Sequence, residues 1–281
     1  MASTHYPDFN DLTSEEQEFV KEKKIAGDRT IDEWLTFFTP LALFDKKGDL
    51  IRRSGNYIKA LLAFLIVFGL FMGYLFLINE IAPKEFIVPG IIIVVSALLL
   101  IITNKWFDKY EGRDLPNILR GFLVPFLELL KNKSGSQETL NLQLDLSGID
   151  GLEEELAKDE KTDVINYLVA SVKLPDSGLL ELKVDGMGTK RPFYSRYKLR
   201  PFYSRYKLIH TIVLTNSYDS TIFRLSGNGG SFEISEKDNK IIIKDAYNEQ
   251  SESPIESDPG PNLEQFWDRL DAMSSVVERK S

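Results

Sequence analysis

The chain has 281 residues, a formal net charge of -8, 43% hydrophobic residues and no cysteine. Lack of cysteine excludes disulfides, zinc–thiolate sites, iron–sulfur clusters and thiol nucleophiles. The acid excess argues against duplex nucleic acid as a partner, because a phosphate-binding surface needs a basic excess.

Residues 1–56 read as a cytoplasmic N-terminal segment with amphipathic helices. "TSEEQEFVKEKK" puts Ser14 and Gln17 at capping-box spacing, and "RTIDEWLTFF" does the same with Thr30 and Glu33. The second segment supplies Ile31, Trp34, Leu35, Phe37 and Phe38, and Pro40 is expected to stop it. Such an apolar stretch ahead of a span is expected to lie in the bilayer interface. Packing onto a soluble domain is the competing outcome.

Residues 57–104 read as a transmembrane helical hairpin. Ala60–Ile78 carries no charge and no proline, and as a helix it spans roughly 28 Å, close to the hydrocarbon thickness of a bilayer. Phe86–Thr103 is a second uncharged run, with Pro89 in its first turn where a missing N–H costs little. The link "NEIAPKE" is short enough to make the spans antiparallel neighbours. Lys46, Lys47, Arg52, Arg53 and Lys59 precede the first span, and Lys105, Lys109, Arg113 and Arg120 follow the second. The link holds Lys84 alone, so both termini are expected on the cytoplasmic side of the inner (plasma) membrane. Tyr57, Tyr74 and Trp106 stand where interfacial aromatics belong. Gly69 and Gly73 form a G-x-x-x-G pair suited to close helix packing, either between copies or onto the second span. Neither span holds an ionisable residue, which favours anchoring over a proton relay.

Residues 105–138 read as a juxtamembrane amphipathic helix, "LPNILRGFLVPFLELLKNK", broken at Pro125 and suited to the headgroup region. From 139 to 247 the pattern turns to short strands: "TLNLQLDLSG" alternates Leu140, Leu142, Leu144 and Leu146 with polar residues. "VINYLVASVKL", "LLELKVDG", "IHTIVLTN", "STIFRL", "GSFEIS" and "KIIIKD" follow, separated by turn-forming residues. The expected fold class is membrane-anchored α+β: the hairpin followed by a small antiparallel β-barrel or β-sandwich. Residues 248–261 read as a flexible acidic linker. Residues 262–281 read as a C-terminal amphipathic helix, capped by Asn262 and Gln265, whose stripe of Leu263, Phe266, Trp267, Leu270 and Met273 is a candidate partner helix. Return of that stripe to its own domain is the other option.

No catalytic, cofactor or metal signature is present. The only histidines are His5 and His210, and no H-E-x-x-H, nucleophile elbow or dinucleotide fingerprint occurs. One segment stands out. "RPFYSRYKLRPFYSRYKL" repeats a nonamer without mismatch from Arg191 to Leu208. Lys190, Arg191, Arg196, Lys198, Arg200, Arg205 and Lys207 alternate there with aromatics, Tyr194, Tyr197, Tyr203 and Tyr206 among them, and no acid intervenes. Bases beside aromatic faces suit an anionic ligand or a phospholipid headgroup. Because nine is odd, an unbroken strand would send the two copies to opposite faces, so a break is expected near Leu199–Pro201, with the second copy nearer the sheet.

The functional expectation is a non-enzymatic two-pass membrane protein with a cytoplasmic interaction or ligand-sensing module. Its expected partners are the lipid bilayer and either further copies of itself or other membrane-complex subunits. The alternative is an oligomeric channel or membrane-disrupting effector gated through the β-domain. Deleting residues 191–199 is expected to leave folding intact, read as an unchanged cooperative unfolding transition; loss of that transition would show that both copies are structural.

Overall fold

The computed structural model describes residues 6–79, 86–111, 113, 115–150, 152, 161–174, 178–190, 206–226, 231–250 and 260–280. The chain divides into two compact units, one of residues 1–8 and 43–114, the other of residues 9–42 and 115–281.

The larger unit holds a seven-stranded antiparallel sheet of order β1-β2-β3-β4-β5-β8-β7. Its strands are β1 (Lys24–Thr30), β2 (Thr139–Asp145), β3 (Lys161–Leu174), β4 (Gly178–Lys190), β5 (Tyr206–Asp219), β7 (Glu233–Lys237) and β8 (Lys240–Gln250). A small second sheet pairs β6 (Phe223–Leu225) with β9 (Val277–Arg279). The expected barrel or sandwich is not what forms: β1 and β7 are the two ends of one open sheet, and helices supply its cover. Leu142, Ala170, Leu182 and Leu214 stand side by side in the ladder and are all buried. Alternate residues on each strand thus make one apolar face, the period-two pattern of a half-buried sheet.

The cover begins with α1 (Ser14–Glu22) and the start of α2 (Ile31–Ile78). The cap of α1 lies one residue earlier than expected: Thr13 and Glu16 complete the capping box. Thr30 and Glu33 cap the start of α2 as expected, with bonds of 2.8 Å and 3.2 Å. Trp34 is fully buried and donates its indole N–H to the Leu140 carbonyl at 3.0 Å, fixing α2 to β2. Phe19 of α1 meets Phe37 and Phe38 edge-on, and the Arg29 guanidinium lies 4.7 Å from the Trp34 ring. This segment therefore packs on the sheet unit rather than in a membrane interface. Pro40 does not end the helix either. Phe38 and Leu41 on either side of it are fully buried, and that packing outweighs one lost backbone bond.

A π-helical turn, Leu119–Leu123, leads into α4 (Val124–Ser134), where Pro125 occupies the first turn instead of breaking a helix. A single helical turn, α5 (Ser147–Asp150), follows β2, and α6 (Leu263–Ser275) ends the layer. Phe122 and Phe126 are fully buried and meet Phe266 of α6 edge-on at 6.1 Å and 5.4 Å. The apolar face of the 115–133 segment is thus core of the larger unit. The linker expected from residue 248 also starts later, because Asn248–Gln250 extend β8 opposite Ile209–Thr211.

The smaller unit is a helical hairpin of α2 and α3 (Ile87–Glu111). Gly55, Leu62 and Gly69 are buried one heptad apart on α2; Pro89, Ser96 and Phe107 are buried on α3. A Cβ at Gly55 would lie 2.0 Å from the Phe107 ring, and one at Gly69 2.8 Å from Ile93. Phe76 meets Phe86 at 6.0 Å near the hairpin's other end. A small residue on one helix faces a large one on the other, which lets antiparallel helices approach closely along a narrow seam.

Truncating Trp34 to alanine should cost about 3–5 kcal/mol in the urea unfolding of the sheet unit, as for other buried large-to-small changes. A cost below about 1 kcal/mol would show that β1 and α2 are not held through this ring.

Candidate functional site

The hairpin presents the most conspicuous surface. Apart from Ile222 and Leu225, every exposed large hydrophobic side chain among the described residues lies on α2 or α3. Both helices are long and apolar enough to cross a membrane. The two glycines of the G-x-x-x-G pair separate in role. Gly69 is taken up inside the chain, against Ile93 and the Pro89 carbonyl, while Gly73 has no atom within 4 Å of its Cβ direction. The pair therefore does not form one free packing face.

The basic-aromatic segment lies almost wholly outside the described residues. Lys190 ends β4 and Tyr206 opens β5 as ladder neighbours, with Thr189 opposite Lys207. Arg191, Tyr194, Arg196, Tyr197, Lys198, Arg200, Tyr203 and Arg205 fall between them, outside the described residues. Leu208, the last residue of the second copy, is fully buried in the sheet core.

A buried polar cluster sits at this end of the sheet. The register of β3 against β4 shifts between Val164 and Leu168, and Asn166 takes a positive φ of 51°. Asp185 accepts the Asn166 backbone N–H and holds this bulge. The bulge turns both Tyr167 and Leu168 inward, where strict alternation would bury only one. The Tyr167 hydroxyl then meets His210 Nδ1 at 2.8 Å. In the ladder His210 stands between Gly186 and Glu249, and Glu249 accepts the backbone N–H of Asn262, the N-cap of α6, at 2.7 Å. His210 is only 1% exposed, so this cluster braces β3, β5, β8 and α6 and offers no ring to solvent.

The opposite sheet end holds a cleft of about 380 Å³ lined by Lys173, Leu179, Ser217, Asp219, Thr221 and Lys240, among others. The Asp219 carboxyl accepts from the Thr221 hydroxyl at 2.6 Å and its N–H at 2.8 Å, and these bonds hold its pKa below the usual range. Both bonds fall on Oδ1, which is thus tied to its own turn. Among the described residues no cluster of histidine and acidic side chains could hold a metal ion.

The C-terminal stripe is occupied within the chain. Phe266, Leu270 and Met273 are at most 1% exposed, Trp267 is buried beneath the Lys133 ammonium at 4.8 Å, and Leu263 is half-buried. The apolar face expected to take a partner is filled by Phe122 and Phe126 instead. Lys133 also pairs with Asp271, tying α4 to α6. Sequence reasoning missed the ion pair beside it: Arg269 reaches Asp245 at 2.8 Å and stacks on the Tyr247 ring at 4.0 Å. The signal was present, since Asp245 follows Ile241 and Ile243 in the buried phase of β8.

Burial, and then the nearby Glu249 charge, push the Tyr247 phenol well above its usual range; burial raises Tyr218 as well. Both phenols therefore favour the folded state most below pH of about 10, and that contribution is lost as pH climbs above it. The Tyr247 hydroxyl has no hydrogen-bond partner among the described residues. Tyr247→Phe should leave stability at pH 7 unchanged or raise it by up to about 1 kcal/mol, and should soften the alkaline loss. A clear loss at pH 7 would mean that the hydroxyl holds a bond. Compared with protein-family models, curated proteins and solved structures, the chain matches none.

Proposed function

We propose that the chain is a two-pass membrane-anchored binding module. The hairpin of α2 and α3 spans the bilayer of the plasma (inner) membrane, and the sheet unit works on the cytoplasmic side. The observation that carries this reading is the concentration of exposed apolar side chains on the two helices, which lipid would cover at no hydrophobic cost. An ordinary soluble surface does not gather a patch of that extent.

Sheet topology supports the same reading. β1 precedes the hairpin and β2 follows it, yet they pair from Lys24↔Asp145 to Thr30↔Thr139. Strands on opposite sides of a membrane could not pair, so the two flanks share one side and the chain crosses twice. The bases before Ala60 and after Thr103, set against Lys84 alone in the link, make that side the cytoplasmic one. The ligand reading rests on sequence: the segment between Lys190 and Lys207 carries bases and aromatics without an acid, and suits an anionic ligand. The seam between α2 and α3 is filled by side chains, which favours an anchor over a conducting pore within one hairpin.

Because the chain has no cysteine, single introduced thiols report topology cleanly. In cells producing Asn79→Cys, a membrane-impermeant maleimide should label the intact cell. Asp28→Cys and Ser220→Cys should react only after permeabilisation. Extraction of the protein by alkaline carbonate, or labelling of Asn79→Cys and Ser220→Cys from the same side, would end this reading.

A further inference from the structure

The bases at the foot of the hairpin are not equivalent. Lys47 pairs with Asp8 at 2.7 Å, Arg52 pairs with Asp49 at 2.6 Å, and the Lys46 ammonium lies 5.9 Å from the Tyr6 ring. Arg53 and Lys105 are exposed and make no ion pair or hydrogen bond among the described residues. Lys59 has its ammonium 5.2 Å from the Phe107 ring and no carboxylate partner. Beside these cations stand two aromatic side chains open to their surroundings, Tyr57 at 73% and Trp106 at 50% exposure.

The hairpin register puts them at one height. With Gly55 against Phe107 and the helices antiparallel, Lys105 is level with Tyr57, and Arg53 lies one turn below, roughly 6 Å along the axis. The uncharged stretch of α2 begins directly above this level, at Ala60. Cations that form no ion pair among the described residues, an indole and a phenol, all at the border of an apolar span, match the charge and amphipathic chemistry of a phospholipid headgroup. The link at the hairpin's other end has acids on Glu80 and Glu85 against Lys84, so the preference belongs to one leaflet.

We propose that the foot of the hairpin is a binding site for anionic phospholipid headgroups, formed by Arg53, Lys59 and Lys105 with Tyr57 and Trp106. This rests on the membrane reading above and adds a lipid class to it. The unpaired bases hold the phosphodiester while the two rings settle at the headgroup level, and the nearby bases Lys47 and Arg52 are held by Asp8 and Asp49 instead.

Trp106 supplies the assay. Trp34 is fully buried and Trp267 is 9% exposed, both in the sheet unit, so quenching by brominated lipid reports Trp106. The full-length chain is reconstituted in phosphatidylcholine vesicles holding an equal small fraction of brominated phosphatidylglycerol or brominated phosphatidylcholine. The anionic lipid should be enriched around Trp106 at least about fivefold, the factor that corresponds to about 1 kcal/mol for a base near the surface. The double variant Arg53→Gln/Lys105→Gln should lose most of that preference, while vesicle flotation and quenching by brominated phosphatidylcholine stay as in the parent chain. Equal quenching by the two lipids, or a preference that survives the double variant, overturns the proposal. Inorganic phosphate that erases the preference at matched ionic strength would assign the site to free phosphate and overturn it too. Quenching by neither lipid would refute the membrane reading itself, and this proposal with it.

Discussion

The pairing of β1 with β2 is the constraint on which the rest of the fold depends. The two strands form a ladder of seven residue pairs, although the whole hairpin separates them in sequence. Closing so long a loop costs conformational entropy, and non-local strand pairing is slow to reward that cost. The hairpin reduces it. Its helices run antiparallel, so a chain that leaves at Gly55 is back beside it at Phe107. Within the sheet unit, the Trp34 indole reaches the Leu140 carbonyl and fixes α2 to β2.

The hairpin achieves this with very little buried surface. Its seam uses Gly55, Leu62 and Gly69 on one helix and Pro89, Ser96 and Phe107 on the other, and nearly all bulk points outward. Lipid is as apolar as a leucine side chain, so no hydrophobic force drives helices together inside a bilayer. In the membrane proposed above, close backbone approach and van der Waals fit would hold such a pair, in keeping with glycine at the points where Phe107 and Ile93 press closest. The sheet unit follows the opposite rule. There water drives the burial of large rings such as Trp34, Phe122, Phe126 and Phe266, and glycine matters mainly at turns.

Much of the larger unit could be read from the sequence where period and chemistry agree. The alternating leucines of β2, the isoleucines of β8 and the Asn262 cap of α6 are such places. The barrel expectation failed for a traceable reason. The helical stripes at residues 115–133 and 262–273 suit headgroups, a partner or the sheet itself, so the pattern alone does not say what covers the sheet's apolar face. Periodicity shows that a face is buried but not what it is buried against. β1 was invisible because "KIAGDRT" contains glycine and aspartate, poor strand formers, and becomes a strand only through the ladder that β2 offers. The bulge at Asn166 was hidden likewise, since its positive φ is stabilised by Asp185 from another strand. Pro40 misled in the opposite direction, with local chemistry overruled by the burial around it.

Charge placement ties these points to function. A chain with net charge -8 has acids to spare, and several bases in the helices find one: Lys47 with Asp8, Arg52 with Asp49, Lys131 with Asp32 and Arg269 with Asp245. Among the described residues Arg53, Lys59 and Lys105 find none, although acids abound elsewhere in the chain. An unpaired base costs nothing in water, yet at the border of an apolar span it stands where a phosphodiester would be its natural counter-ion. The same reasoning applies to the sequence between Lys190 and Lys207, where a run of bases has been kept free of acids. That run joins two neighbouring strands of the sheet, which pair at Lys190 and Tyr206. On the reading proposed above, both sets of bases are where an anion from outside the chain would be met.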